Sequence, residues 1–292
     1  MCPRTSESIA DLVRPLIGEP LGEPEPLTGG ITNHNFRVRT AEGEFAVRVF
    51  GKGTSALGID RDAERAATEA AAHAGVGPEL VAFSDELLVT RFIHGEPMPE
   101  IRIHETSAAL RAVHAGPGLP TAFSGIAVGE DYAARASELP PDYPGAHAVA
   151  KEIEAALQGP EHDPVPCHND LLNANLIWDG ERVRIVDWDY AGMGDRYFDL
   201  GNLSINNGLS EEDDERLLAA YFGEPCTPAR FASLRLMRIV SDFREAMWGV
   251  LQSSISELDF DFHDYSRTHF ARMRESAADR RYPGWLEDAA GG

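Results

Sequence analysis

Val165-Pro166-Cys167-His168-Asn169-Asp170-Leu171-Leu172-Asn173-Ala174-Asn175-Leu176-Ile177-Trp178 runs into Asp179-Gly180, after which Arg182-Val183-Arg184-Ile185-Val186-Asp187-Trp188-Asp189 follows. Two alternating stretches around Asp-Gly predict a β-hairpin over residues 175–187. A two-residue loop at Asp179-Gly180 sets Asp187 across from Leu172. Asp187 then lies beside the loop that carries Asp170 and Asn175. Three oxygen-bearing side chains converge from two strand ends.

Phosphoryl transfer needs such a cluster. Mg²⁺ takes oxygen ligands and keeps one or two protein groups beside phosphate oxygens and water. A separate carboxylate must orient the attacking hydroxyl and accept its proton. The pattern His168-x-Asp170-x4-Asn175, with Asp187 seventeen residues past Asp170, resembles the catalytic loop and metal aspartate of the protein-kinase-like fold. That resemblance makes Asp170 the base and gives Mg²⁺ to Asn175 and Asp187. A zinc site of His162, Cys167, His168 and Asp170 competes for the same segment, but it lacks paired CxxC or HxxxH spacing.

Upstream, Leu27-Thr28-Gly29-Gly30-Ile31-Thr32-Asn33 precedes a strand, where a Gly-rich loop can lay backbone N–H groups on phosphates. A hairpin is expected from strands at 35–40 and 44–50. In Ala46-Val47-Arg48 the alternation sets Ala46 and Arg48 on one face, a small residue under an adenine and a cation on the phosphates. Lys52 is the rival cation. Glu64, on a helix expected over 60–74, is the natural partner of Arg48, with Glu69 as the alternative. Further strands are expected at 79–84 and 86–93, and a short helix at 6–17. His94-Gly95-Glu96-Pro97-Met98-Pro99 reads as a linker between lobes. Beyond it, helices are expected near 101–115, 147–157, 211–222, 228–252 and 261–277. The fold class is therefore α+β, with two lobes: 1–95 for the nucleotide and 96–292 for catalysis and substrate.

The 292 residues carry 48 acidic and 26 basic groups, a formal net charge of −22. That field repels nucleic acid and anionic lipid and concentrates cations, so neither nucleic acid nor membrane is an expected partner. Only Lys52 and Lys151 are lysines, so a phosphate-binding role falls to one of them or to an arginine. No apolar run approaches the length of a membrane span, and residues 1–7 lack an apolar signal core. Three scattered cysteines argue against a disulfide framework. A cytoplasmic location is expected.

Taken together, these segments are similar to the choline/ethanolamine kinase group within the aminoglycoside-phosphotransferase-like superfamily. The resemblance extends from about Leu27 to about Phe270. It rests on Thr28-Gly29-Gly30-Ile31-Thr32-Asn33, Ala46-Val47-Arg48-Val49-Phe50-Gly51, and Cys167-His168-Asn169-Asp170 through Asn175. Val186-Asp187-Trp188-Asp189-Tyr190 and Tyr197-Phe198-Asp199-Leu200-Gly201-Asn202 follow, then Met247-Trp248-Gly249-Val250-Leu251-Gln252 with Asp264-Tyr265. It implies a bilobal protein-kinase-like fold, with a small antiparallel-sheet lobe before a larger helical one. ATP and Mg²⁺ are the implied cofactors, Thr28, Gly29, Gly30, Thr32, Asn33, Arg48 and Glu64 the implied nucleotide-binding residues, and a small cation the implied acceptor.

In choline kinases the ammonium lies among aromatic rings and acidic groups, drawn to the ring faces. Trp248 and Tyr265 fall on two aromatic positions and Asp189 on an acidic one. Glu245 stands where another cage tryptophan is usual, and Asn206 where an acid is usual. A carboxylate favours a cation that donates hydrogen bonds, which shifts the expectation from choline toward ethanolamine or another amino alcohol. Asp199 is implied to cap the catalytic loop. An aminoglycoside kinase shares every catalytic residue, and a catalytically dead sensor would have lost Asp170, Asn175 or Asp187, all of which are present.

Overall fold

Ile9, Val13 and Ile17 recur every four residues and give helix α1 (Ser6–Ile17) one buried stripe. That stripe packs on one face of an antiparallel sheet through Phe36, Val38, Phe45, Val47 and Val49. The computed structural model describes residues 6–27, 33–51, 57–256 and 258–291. The sheet order is β1-β2-β3-β5-β4, from β1 (Glu25–Leu27), β2 (His34–Thr40), β3 (Gly43–Val49), β4 (Leu80–Phe83) and β5 (Leu87–Arg91). Because β3 alternates, Phe45, Val47 and Val49 enter this core while Ala46 and Arg48 face away from it. Helix α2 (Arg61–His73) starts at Asp60, whose carboxylate accepts from the Ala63 N–H at 3.0 Å.

The segment expected to be a plain linker is a strand. β6 (Glu96–Pro97) pairs with β8 (Leu176–Trp178), which pairs in turn with β9 (Val183–Ile185). Pro97 is tolerated because β6 is an edge. Asn173 adds a bond from its side-chain amide to the Met98 carbonyl at 2.7 Å.

The hairpin register also differs from expectation. Leu176 opposes Ile185 and Trp178 opposes Val183, so the loop is the four residues 179–182 rather than Asp179-Gly180 alone. The Asp179 side chain closes it by accepting from the Glu181 and Arg182 N–H groups, both at 2.9 Å. A shift of two residues keeps every side chain on its face, and the Val186 N–H still bonds the Asn175 carbonyl at 3.0 Å.

The rest of the large lobe is α3 (Ile103–His114), α4 (Gly125–Arg135), α5 (Tyr143–Ala156), α6 (Arg196–Asn206), α7 (Glu211–Phe222), α8 (Pro228–Ile255), α9 (Phe262–Ala277) and α10 (Tyr282–Ala290), with β7 (Val165–Cys167) paired to β10 (Gly192–Gly194). Among the described residues no helix is long and apolar enough to cross a membrane. Helix α8 is the spine, with 19 buried residues against which α4, α6, α9 and α10 pack. Helices α4, α6 and α10 were not expected from sequence. In α6 the reason is visible: Gly201 lowers helix propensity yet permits close approach to α8. A Cβ there would lie 2.8 Å from Arg238 N and 2.9 Å from the Met237 carbonyl carbon. Gly201→Ala should therefore destabilise the protein by roughly 1–3 kcal/mol. Calorimetry would show a lowered Tm, whereas an unchanged Tm would mean that α6 and α8 part without cost.

Candidate active site between the lobes

A cleft of about 640 Å³ opens between the sheet of the small lobe and the β6–β8–β9 sheet. Its walls include Ala46, Arg48 and Glu64 from one side and Asn175, Leu176 and Asp187 from the other. Arg48 Nη1 lies 2.7 Å from Asp187 Oδ1, 2.6 Å from Asp189 Oδ1 and 3.1 Å from Glu64 Oε1. Glu64, not Glu69, is thus its helix partner. Burial disfavours the guanidinium charge, but the three carboxylates outweigh it and raise its pKa.

Arg61 joins the same network, 2.6 Å from Glu64 Oε2 and 3.0 Å from Asp189 Oδ1, with its guanidinium carbon 3.9 Å over the Phe50 ring. Two arginines thus serve three acids. Burial and the neighbouring Asp189 push the Glu64 pKa up. Asp189 stays ionised: burial would raise its pKa, but Arg48 and Arg61 lower it further. Its other oxygen accepts from the Asn33 amide at 2.7 Å. With both oxygens taken by protein donors, Asp189 is tied to Arg48, Arg61 and Asn33. Asn33 is likewise turned to Asp189 and Arg61. Thr28, Gly29, Gly30 and Thr32, together with Lys52, lie outside the described residues.

The loop that carries Asp170 is held from beneath. The buried Asp199 accepts from the His168 N–H at 2.8 Å and the Asn169 N–H at 2.7 Å, and His114 Nε2 lies 3.0 Å away. Burial alone would raise the Asp199 pKa, but His114 and the backbone donor of His168 bring it below the usual range. Asn169 and Asp187 both adopt left-handed backbone, at φ 68° and 70°. Such strain of about 1–3 kcal/mol per residue gathers at working sites, and at Asp187 it coincides with the end of the hairpin. Asn175 donates its side-chain N–H to the Asp170 carbonyl at 2.8 Å, which leaves its Oδ1 without a protein donor among the described residues.

Asp170 faces the other way, toward α8. Arg244 Nη1 stands 3.3 Å from its Oδ1 and also pairs with Glu245 Oε1. The Tyr265 hydroxyl donates to the second Glu245 oxygen at 2.7 Å, and the Trp248 and Tyr265 rings meet edge to face at 5.4 Å. Burial pushes the Asp170 pKa up to about 7 against the pull of Arg244. Burial works on Glu245 too, but Arg244 and Tyr265 bring it below its ordinary value. So Asp170, Glu245, Trp248 and Tyr265 form one connected cluster, while Asn175, Asp187, Arg48 and Glu64 line the cleft beside it.

The zinc alternative finds no support in the geometry. His162 pairs with Asp195 at 2.6 Å, and His168 Nδ1 accepts from the Asp170 N–H at 3.2 Å. The one group of potential ligand atoms among the described residues is His114, Cys167 and Asp199, and its His and Asp are committed to Tyr221 and to the loop backbone.

With this geometry in hand, two comparisons bear on identity. A model of the phosphotransferase enzyme family matches residues 23–236. The crystal structure of a choline/ethanolamine kinase family protein from Mesorhizobium loti is 31% identical, with a TM-score of 0.86 over 98% of this chain and 99% of that one. This chain belongs to the choline/ethanolamine kinase family. Human ethanolamine kinase 2 is 26% identical to it over 282 residues, which is 83% of this chain and 73% of that one. Choline kinase LicA from Streptococcus pneumoniae shares the fold at a TM-score of 0.80 and 24% identity, over 93% of this chain and 98% of that one. This kinase is accordingly a phosphotransferase of the two-lobed, protein-kinase-like fold that acts on an alcohol group.

Two of its residues escaped the sequence reading: Arg61 and Arg244. For Arg244 a signal existed, since Arg244-Glu245 stands with Ser241-Asp242 as the polar groups in a buried, otherwise apolar stretch of α8 from Ile239 to Leu251. A charge pair there calls for a partner. The loop cap of this kinase allows a direct test. Asp199→Ala strands two buried N–H groups and should cost about 3 kcal/mol, lowering kcat as the loop slackens. Denaturant titration and steady-state kinetics would check both, and a variant as stable and active as the parent would show that Asp199 does not hold the loop.

Proposed function

We propose that the protein is an ATP- and Mg²⁺-dependent kinase that transfers the γ-phosphate to the hydroxyl of choline, ethanolamine or a related amino alcohol. The observation that carries this reading is the placement of Asp170 between two groups. Asn175 and Asp187 lie at the cleft on one side, and Glu245, Trp248 and Tyr265 cluster on the other.

The donor set at Asn175 and Asp187, an amide oxygen and a carboxylate, fits Mg²⁺. The Asn175 amide is already turned by its bond to the Asp170 carbonyl, so its oxygen is the free end. When bound, Mg²⁺ neutralises charge on the phosphate oxygens. Arg48, oriented by Glu64 and Asp189, offers its charge to the phosphates. Asp170 sits where it can receive the hydroxyl proton. Its raised pKa of about 7 lets it gain and lose a proton near neutrality. Arg244 steadies the carboxylate.

A coupled ADP-release screen tests the reading, using choline, ethanolamine, other amino alcohols and aminoglycosides with and without Mg²⁺. Mg²⁺-dependent ADP release with amino alcohols is expected. Release with aminoglycosides alone, or with no alcohol at all, overturns it.

A further inference from the structure

One buried cation has a larger donor set than the chemistry above employs. Arg244 is 2% exposed. Its Nη1 serves both Asp170 and Glu245, and its guanidinium carbon stands 4.3 Å over the Tyr190 ring. The donors Nε and Nη2 are also buried, and neither has a partner among the described residues. Native proteins satisfy nearly all buried donors, so two orphans on one side chain ask for a ligand. Nε and Nη2 are adjacent and parallel, the fork with which a guanidinium grips a carboxylate in two bonds. Neutralising Asp170 and Glu245 needs no fork, and a lysine could do it.

We propose that the Nε/Nη2 fork of Arg244 binds a carboxylate on the acceptor, so that the preferred amino alcohol is one that also carries a carboxylate. This rests on the amino-alcohol kinase reading and narrows it. The fork belongs to the same guanidinium that touches Asp170, which puts the acceptor's carboxylate a few bonds from the hydroxyl that Asp170 receives. Glu245 and, when it is ionised, Asp170 together outnumber the single charge of Arg244, so an ammonium is welcome beside them. Fork and carboxylates together suit a zwitterion. A trimethylammonium offers Glu245 no hydrogen bond and leaves the fork empty. The fork is closed to solvent here, so a carboxylate reaches it only as neighbouring side chains move aside.

The test uses two matched acceptor pairs that differ by the carboxylate alone: serine against ethanolamine, and homoserine against 3-aminopropanol. Coupled ADP release with Mg·ATP should favour the acid of at least one pair by about tenfold or more in kcat/KM. Arg244→Lys keeps a cation near Asp170 and Glu245 but removes the fork. It should lower the acid-to-alcohol ratio by about tenfold, mainly through KM. A thermal melt of that variant, with and without Mg·ATP, confirms that it is folded. A wild-type preference for ethanolamine or choline, or a ratio unmoved by Arg244→Lys, overturns the proposal while the kinase reading stands. Mg·ATP binding without turnover of any of these acceptors overturns both.

Discussion

Asp170→Ala is expected to lower kcat by roughly 10²–10⁴-fold while the KM for ATP moves little. The cleft residues that would grip the nucleotide, Arg48, Glu64, Asn175 and Asp187, make no hydrogen bond or ion pair with the Asp170 carboxylate among the described residues; the one bond between them runs from Asn175 to the Asp170 backbone carbonyl. Alanine preserves that bond. What it removes is the proton acceptor and one of the two carboxylates facing Arg244. Turnover unchanged in this variant would show that another group receives the proton.

The same carboxylate sets a pH dependence. Its folded-state pKa is raised, chiefly by burial, to about 7, and a base works in its ionised form. Activity should therefore rise with pH and reach half its plateau near 7, losing about tenfold per unit on the acid side. The sign for stability is opposite. Between the ordinary carboxylate range and 7 the folded state keeps a proton that the unfolded chain has released, so this group's contribution falls as pH rises through that window. An acid limb placed near 4 in the kcat/KM profile would remove Asp170 as the titrating base.

Asp187→Asn is the second large effect. It retains size and one oxygen but removes a charge from the proposed metal pair. Several kcal/mol of charge stabilisation depend on a well-held metal, which corresponds to a loss of roughly 10³-fold in kcat. The Mg²⁺ concentration for half-maximal rate should rise at the same time. Arg48 keeps Glu64 and Asp189 as partners, so the Tm should change little. A rate loss with unaltered Mg²⁺ dependence would assign Asp187 to orienting Arg48 instead of holding the metal.

Local sequence pattern carried much of this architecture. The alternation in Phe45-Ala46-Val47-Arg48-Val49 was enough to sort core from cleft, and the short helix expected at 6–17 is α1. The hairpin's existence followed from Asp179-Gly180, but its register did not, because the Asp179 side chain closes a four-residue loop that a dipeptide rule overlooks. Helix α6 was hidden because Gly201 answers to the approach of α8, a long-range demand that a local window does not contain. The acceptor side was least legible. Asp189 reads as a ligand from its place in the motif, whereas Arg48, Arg61 and Asn33 occupy its oxygens. Arg61 and Arg244 draw their meaning from partners more than 70 residues away.

The pairing of Glu96–Pro97 with the catalytic hairpin has a mechanical consequence. The chain passes from one lobe to the other along the cleft wall, and there it is bonded to the strand that follows Asn175 and, through Asn173, to the loop itself. The crossing segment and the Asn175–Asp187 end of the cleft therefore travel as one body. Arg48 and Glu64 ride on the other. For the two sides to part, the pairs of Arg48 with Asp187 and Asp189 are the contacts that must break.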